Sequence, residues 1–346
     1  LEAISAKGEP ISPSELGERY ALPDDVVDTT DLWIRACSQF AGPEYGARTQ
    51  SLPIVGQVEG DIPPPGRRWE HLEGVEELLQ TYEEAMGLLH EVTELGGHAR
   101  FPHAFEEGFA MELPHVQQLR SGARMLKLEA HVRAHRGDPA GVVESLKGIF
   151  ATSRAVKQDP LLISQLVKIA LDGIAIGTLT ELLPHVEFTD EQLVELQQLL
   201  RQPDYRAGMK EGLIGERAVG IDTIENPAGL GNELGNLPLG PRNDDLALYL
   251  DMIGQVIDSM DESWVNAIKT SERVDAEVQA KMQGPVNRVR FIMTGMMFPA
   301  LDAAVKAGAR ADAASTLGDV MIAVERYHRA NGSYPEKLDQ LLSLIH

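Results

Sequence analysis

The sequence predicts an all-α fold, a tetratricopeptide-like array of helical hairpins with a C-terminal helical lobe packed against it. Two observations carry this reading. From residue 72 onward apolar side chains recur at intervals of three and four, the spacing of one face of a helix. No stretch alternates β-branched or aromatic residues with polar ones for long enough to nominate a strand. A chain of 346 residues can bury roughly 75% of its unfolded surface if it packs compactly, so a sizeable core is available.

Residues 1–70 read as an irregular N-terminal arm with two short helices. Ser12 caps the first, with Pro13 in its opening position, where a missing N–H costs nothing. The second runs from about Thr30 to Phe40, its apolar side chains being Leu32, Ile34 and Phe40. The stretches "ALPDDVVD", "AGPEYG" and "DIPPPGRR" break periodicity between and after them.

The array is expected over 71–225. Leu72, Val75, Leu79, Tyr82, Met86 and Leu89 lie on one face of a helix ended by "ELGGHARFP". The next helix, from about Pro114 to Arg136, carries Val116, Leu119, Ala123, Leu126 and Ala130. Gly137 closes it, and Asp138 with Pro139 opens another built on Val142, Leu146, Ile149, Phe150 and Val156. "LLISQLVKIALDGIAIGTLTELL" is apolar almost all round and predicts a helix buried among others. Thr189 caps "DEQLVELQQLL", Gln192 completes a capping box, and Leu193, Leu196 and Leu200 form the stripe. A further helix covers about 206–224. The hairpin likeness rests on helix lengths and on the small residues Ala123, Ala130, Ala140 and Ala155, with no signature recurring at a fixed period.

"ENPAGLGNELGNLPLGPRND" predicts a loop over 226–242, and 243–346 forms the C-terminal lobe. There Leu246, Leu250, Ile253, Ile257, Met260, Trp264 and Ile268 make one helical stripe. A last helical region runs from about Val286 to Ala330, with Pro299 expected to end or kink it. In the closing "VERYHRANGSYPEKLDQL", Gly332 should turn the chain and Pro335 restart a helix. Leu338 and Leu341 then tuck that helix down, and Tyr334 packs at the joint.

Charge narrows the partners. The chain holds 53 acidic against 31 basic residues, a net charge of −22, which repels phosphate backbones and anionic lipid. No run of about 18 apolar residues nominates a bilayer span, so membrane contact is expected only through an anchor ahead of Leu1. The single Cys37 excludes an internal disulfide framework.

Polar residues inside apolar helices are the candidate ligand-binding groups. "GLIGERAVGID" sets Glu216 and Arg217 among apolar residues and glycines, where a buried carboxylate can bind a polar ligand or act as a base with a raised pKa. Pairing with charges on a neighbouring helix is the alternative role. Ser164 and Gln165 inside "LLISQLVKIA" need partners in the same way and join them as lining residues. His131 and His135 are one helical turn apart, a spacing that lets two imidazoles share a metal. Beside Arg133 and Arg136 at a helix end they read more simply as a solvated cationic face, so no metal is expected. "HEVTE" at His90 lacks the second histidine of a zinc-protease helix. "GLGNELG" carries Glu233 and no following Lys, which reads as a surface loop and not a phosphate cradle. Met293, Met296 and Met297 follow the helix stripe and read as core, or as a groove for a partner helix. No "GxSxG" turn occurs and Cys37 has no histidine attached, so no catalytic residue and no cofactor is nominated.

Two resemblances follow from the motifs. "ERYHRANGSYP" resembles the segment that follows the long helix in type II secretion pseudopilins, where it precedes a sheet; no sheet is predicted after Tyr334 here. The order "GEPISPSEL", "LLISQLVKIA", "LIGERAVGID" and "ERYHRANGSYPEKLDQL" is similar to a family of uncharacterised planctomycete-type bacterial proteins. That resemblance implies a membrane-anchored, mostly helical body facing the cell envelope or periplasm, with "LEAISAKGEP" as the tail of a juxtamembrane helix. It implies no reaction. The expected function is therefore a non-enzymatic, envelope-associated scaffold or protein-binding module, partnered by another protein or by itself. The alternatives are an enzyme or small-ligand binder with a polar pocket around Glu216, and a component of a filament or secretion assembly.

Overall fold

The computed structural model describes residues 1–22, 25–226 and 242–345. Among these are sixteen α-helices and no strand; the only β-type pairings are isolated bridges, Asp28 with His98 and Pro53 with Val58. The all-α expectation holds. The predicted loop over 226–242, with "GLGNELG" and Glu233, lies almost wholly outside the described residues.

After α1 (Glu2–Ser5), helix α2 (Pro13–Arg19) starts where its cap dictates, with Ser12 Oγ accepting the Glu15 N–H at 3.3 Å. α3 (Thr30–Ser38) buries Trp33, Ala36 and Cys37, whereas the predicted Leu32 and Ile34 are only half-buried, because the largest ring takes the core position. An unpredicted helix, α4 (Gly42–Thr49), forms across "AGPEYG". Pro43 falls in its first turn, where proline is tolerated, so it starts this helix instead of breaking one. The single helix expected from Leu72 is two, α5 (Leu72–Thr81) and α6 (Glu83–Leu95). Tyr82 leaves helical geometry at φ −106° and meets the rings of Phe40 and Tyr45 at 5.7 and 5.6 Å.

The middle of the chain follows its caps. α7 (Pro114–His135) ends on Gly137 at φ +71°, and α8 (Pro139–Ala155) opens with the Asp138 carboxylate accepting the Gly141 N–H at 2.9 Å. α10 (Asp190–Arg201) carries the reciprocal Thr189–Gln192 capping box, and α11 (Tyr205–Glu225) follows it. Between them, α9 (Leu162–Leu182) buries Leu171, Ala175 and Leu179 but exposes Ile163, so it is not enclosed all round. By length and composition alone α9 is apolar enough to cross a membrane, against the expectation that no segment is. Here it packs against α7, α8, α11 and α15, and its Gln165, Lys168 and Asp172 side chains meet protein groups.

In the C-terminal part the continuous stripe from Leu246 to Ile268 divides into α12 (Arg242–Ser259) and α13 (Trp264–Lys281), with Ser263 capping the second. After α14 (Pro285–Arg290), helix α15 (Ile292–Asn331) continues past Pro299 without ending. Phe298, Leu301, Ala304 and Val305 are buried on either side of that proline, and their packing outweighs one lost backbone bond. Gly332 takes the expected left-handed geometry at φ +71°. Pro335 starts no helix; a 3₁₀ turn covers Leu338–Leu341 and α16 covers Leu342–Ile345. Leu341 is fully buried, but Leu338 is 72% exposed and Tyr334 63% exposed, stacked only on His328 at 4.3 Å. The joint is thus held by Leu341 and by polar contacts, with Gln340 Nε2 donating to the Tyr327 hydroxyl at 3.0 Å and Gln197 Nε2 to the Leu344 carbonyl at 3.2 Å.

Two large apolar clusters form the core. One joins Trp33, Leu89, Leu126, Leu146, Leu171 and Leu196; the other joins Leu213, Tyr249, Ile253, Val274, Phe298 and Val305. A smaller one, Leu16, Tyr20, Phe105, Leu161, Ala218 and Val219, lies where the N-terminal segment meets α11. Close approach at this point depends on Gly215, since a Cβ there would stand 1.8 Å from the Pro160 carbonyl oxygen. Gly215→Ala must push the α8–α9 turn away and should cost about 2 kcal/mol. A urea unfolding midpoint equal to that of the wild type would refute this.

Candidate functional site

The turn between α8 and α9 places one carboxylate in a buried, aromatic-walled centre. Asp159 Oδ1 accepts the Leu161 N–H at 3.2 Å, a local side-chain bond that shapes the turn. Gln165, one turn into α9, fixes the same turn from the other side: its Nε2 donates to the Asp159 carbonyl at 2.8 Å and to the Lys157 carbonyl at 3.3 Å. The second oxygen, Asp159 Oδ2, is left facing two imidazoles. His103 Nε2 lies 2.8 Å from it and His115 Nε2 3.5 Å.

Each imidazole is held by an aromatic partner. His103 stacks on Tyr20 at 5.0 Å and 7°, and His115, in the first turn of α7, stacks on Phe101 at 4.4 Å and 10°. The Tyr20 hydroxyl accepts the Phe101 N–H at 2.9 Å and so ties the two stacks together. The side chains of His103 and Asp159 are fully buried and that of His115 is 5% exposed. Burial alone would raise the Asp159 carboxyl; the two imidazoles beside it outweigh burial and hold the group below its ordinary value. For Tyr20, burial is the main cause and the Asp159 charge the next, and both keep the phenol protonated. His103, His115 and Asp159 are the group among the described residues whose ligand atoms all lie within 4.8 Å of one another.

Of the residues singled out in the sequence, only Gln165 takes part in this centre, and it does so through the backbone of the turn. Ser164 Oγ is buried without a hydrogen-bond partner among the described residues. Arg217 turns away from Glu216: its guanidinium donates to Glu9 Oε2 at 2.5 Å and clasps the N-terminal segment onto α11. Arg19 does the same with Glu211 at 2.8 Å. The Glu216 side chain keeps some contact with solvent, yet burial pushes it up to about 7, while its backbone carbonyl accepts the Tyr249 hydroxyl at 2.9 Å. No hydrogen bond or ion pair among the described residues joins Glu216 or Arg217 to Ser164 or Gln165. His131 and His135 are neither a solvated face nor two ligands for one ion. His131 is buried with Nε2 3.0 Å from Glu181, His135 Nε2 lies 2.9 Å from the Pro63 carbonyl, and both rings abut Trp69. Burial lowers the His131 pKa, against the pull of Glu181.

No protein-family model, curated protein or solved structure matches the chain.

A second polar feature sits behind the same turn. The Lys168 ammonium pairs with Asp172 at 2.9 Å, lies over the Tyr205 ring at 4.4 Å, and is almost fully buried. It borders a cavity of about 150 Å³ whose lining includes Arg154, Lys157 and Gln202. Arg154 has no hydrogen-bond or ion-pair partner among the described residues, and Asp172, which also lines the cavity, is the anion whose charge acts on it.

His103, His115 and Asp159 were missed because they come from three separate segments and share no spacing rule. The visible signal was slight: "FPHAF" and "LPHVQ" each place a histidine directly after a proline, and "QDP" places an aspartate before one.

Proposed function

We propose that the chain is a non-enzymatic, envelope-associated scaffold or protein-binding module, a tetratricopeptide-like helical-hairpin array whose C-terminal lobe presents the contact surface. The observation that supports this is a run of exposed apolar side chains across α14 and the start of α15. Val286 is 76% exposed, Val289 38% and Met296 53%, with Ile292 half-buried between them. Scattered exposed aliphatics are ordinary, but four at intervals of three and four residues along one segment suit a protein contact. Placement at the envelope draws on the resemblance to planctomycete-type anchored proteins, and the partner is another protein or a second copy.

A photo-crosslinking amino acid at Val289, introduced in the native cell, tests the reading. The expected product is a discrete protein adduct that is absent when the same group sits at the exposed Glu187. A ladder of adducts between copies would favour the filament alternative. No adduct above the Glu187 control would count against any contact through this face.

A further inference from the structure

We propose that His103 Nε2, His115 Nε2 and Asp159 Oδ2 are the protein ligands of a divalent first-row transition ion of the zinc class, bound as a structural cross-link. The argument begins with proton positions. His103 Nδ1 lies 3.1 Å from the Pro102 carbonyl oxygen, which can only accept, so Nδ1 carries the hydrogen. The neutral ring then presents a lone pair from Nε2, and that lone pair faces Asp159 Oδ2 at 2.8 Å, an acceptor against an acceptor. The contact is satisfied once the two atoms share a cation, either a second ring proton or a metal ion.

The second observation is independent. His115 Nε2 is buried, aimed at the same oxygen from 3.5 Å, and has no hydrogen-bond partner among the described residues. Such an atom loses its hydration for nothing in return unless a ligand satisfies it. One cation held by all three atoms answers both demands, whereas a proton on His103 would answer only the first. With a zinc ion about 2 Å from each ligand, tetrahedral ligand atoms stand about 3.3 Å apart; the His115 contact at 3.5 Å meets this, and the His103 contact at 2.8 Å opens by about 0.5 Å when the ion enters. The three atoms here are 2.8 and 3.5 Å from the shared oxygen and all within 4.8 Å of one another.

The surroundings hold the three ligands in place and leave a fourth position for water. A histidine ligand characteristically donates its other ring N–H to a backbone carbonyl, as His103 does to Pro102, which fixes its tautomer and direction. Asp159 is oriented by the Leu161 N–H, and its turn by Gln165. Imidazole and carboxylate ligands suit zinc and its neighbours, not calcium or magnesium, which prefer oxygen alone. The ion would tie the segment before the 3₁₀ turn Phe105–Ala110 to the start of α7 and to the α8–α9 turn, coupling metal binding to folding.

Full-length protein is stripped with a chelator and dialysed against Zn²⁺, and metal content is measured alongside the thermal midpoint; Co²⁺ replaces Zn²⁺ for visible absorption. One equivalent bound, a raised midpoint and a cobalt ligand-field band are expected. His115→Phe keeps the stack on Phe101 but removes a ligand, so it should bind at least tenfold more weakly and lose the midpoint gain. His185→Ala, at an exposed histidine, should change neither. Wild type that retains no Zn²⁺ or Co²⁺, or His115→Phe binding as tightly as wild type, overturns the proposal. Should His115→Phe fail to fold, crystals of the wild type grown with Zn²⁺ decide: an anomalous peak among the three atoms supports the site, and its absence refutes it.

Discussion

Replacing Asp172 by alanine should cost the fold about 3–5 kcal/mol near neutral pH, because it strands a buried charge. Asp172 accepts from Lys168 Nζ at 2.9 Å and from Ser153 Oγ at 2.5 Å, and its side chain is 1% exposed. Lys168, 7% exposed, would keep its ammonium over the Tyr205 ring with no anion beside it. A cation–π contact of about 2 kcal/mol at best does not replace a lost carboxylate. Removing both charges is different in kind: Lys168→Met with Asp172→Ala no longer strands Lys168 and leaves only Arg154, at the cavity edge, without the field of Asp172, so the pair should return to within about 1–2 kcal/mol of the wild type. Urea unfolding of the two single variants and the double variant measures this. A single Asp172→Ala loss below about 1 kcal/mol would mean that water reaches Lys168 and that the pair is effectively a surface one.

What the sequence discloses divides by range. Caps were legible because they are bonds within four residues: Ser12 to Glu15, Asp138 to Gly141, Thr189 to Gln192, and the glycine stops at 137 and 332. Helix breaks were not. Tyr82 and Met260–Ser263 interrupt helices whose two halves face the same core, so the three–four spacing runs on across the bend. Pro299 shows the reverse case, a local signal overruled by burial on both sides.

The candidate site follows the same logic. Gln165 was noticed as a polar residue in an apolar helix that needed partners, and its partners turned out to be the carbonyls of a turn. Glu216 and Arg217 look like a pair in sequence, but adjacent positions on a helix point in different directions, and Arg217 reaches Glu9 instead. The histidines that converge on Asp159 lie in segments that only the tertiary fold brings together.

Glu216 leads to the second large effect, and its sign is opposite to that of a paired carboxylate. Burial raises the folded-state pKa from the usual 4.5 to about 7. Arg217 does not neutralise it, being engaged with Glu9, and Tyr249, fully buried and kept neutral, offers its hydroxyl to the Glu216 carbonyl rather than to the carboxylate. Below the unfolded pKa both states hold the proton and nothing is lost. Between about 4.5 and 7 the unfolded chain releases its proton while the folded chain retains it, so stability falls as pH rises. Above about 7 both are ionised, and the loss has reached its full value of about 3 kcal/mol. Glu216→Gln removes the titration while keeping the shape. It should stabilise the protein by about 3 kcal/mol at about pH 8 and by about 1 kcal/mol or less at about pH 5, read from urea unfolding at both. An equal gain at the two pH values would point to a new amide hydrogen bond. No gain at the higher pH would show that the carboxylate is hydrated, in which case α11 carries a surface acid at this position.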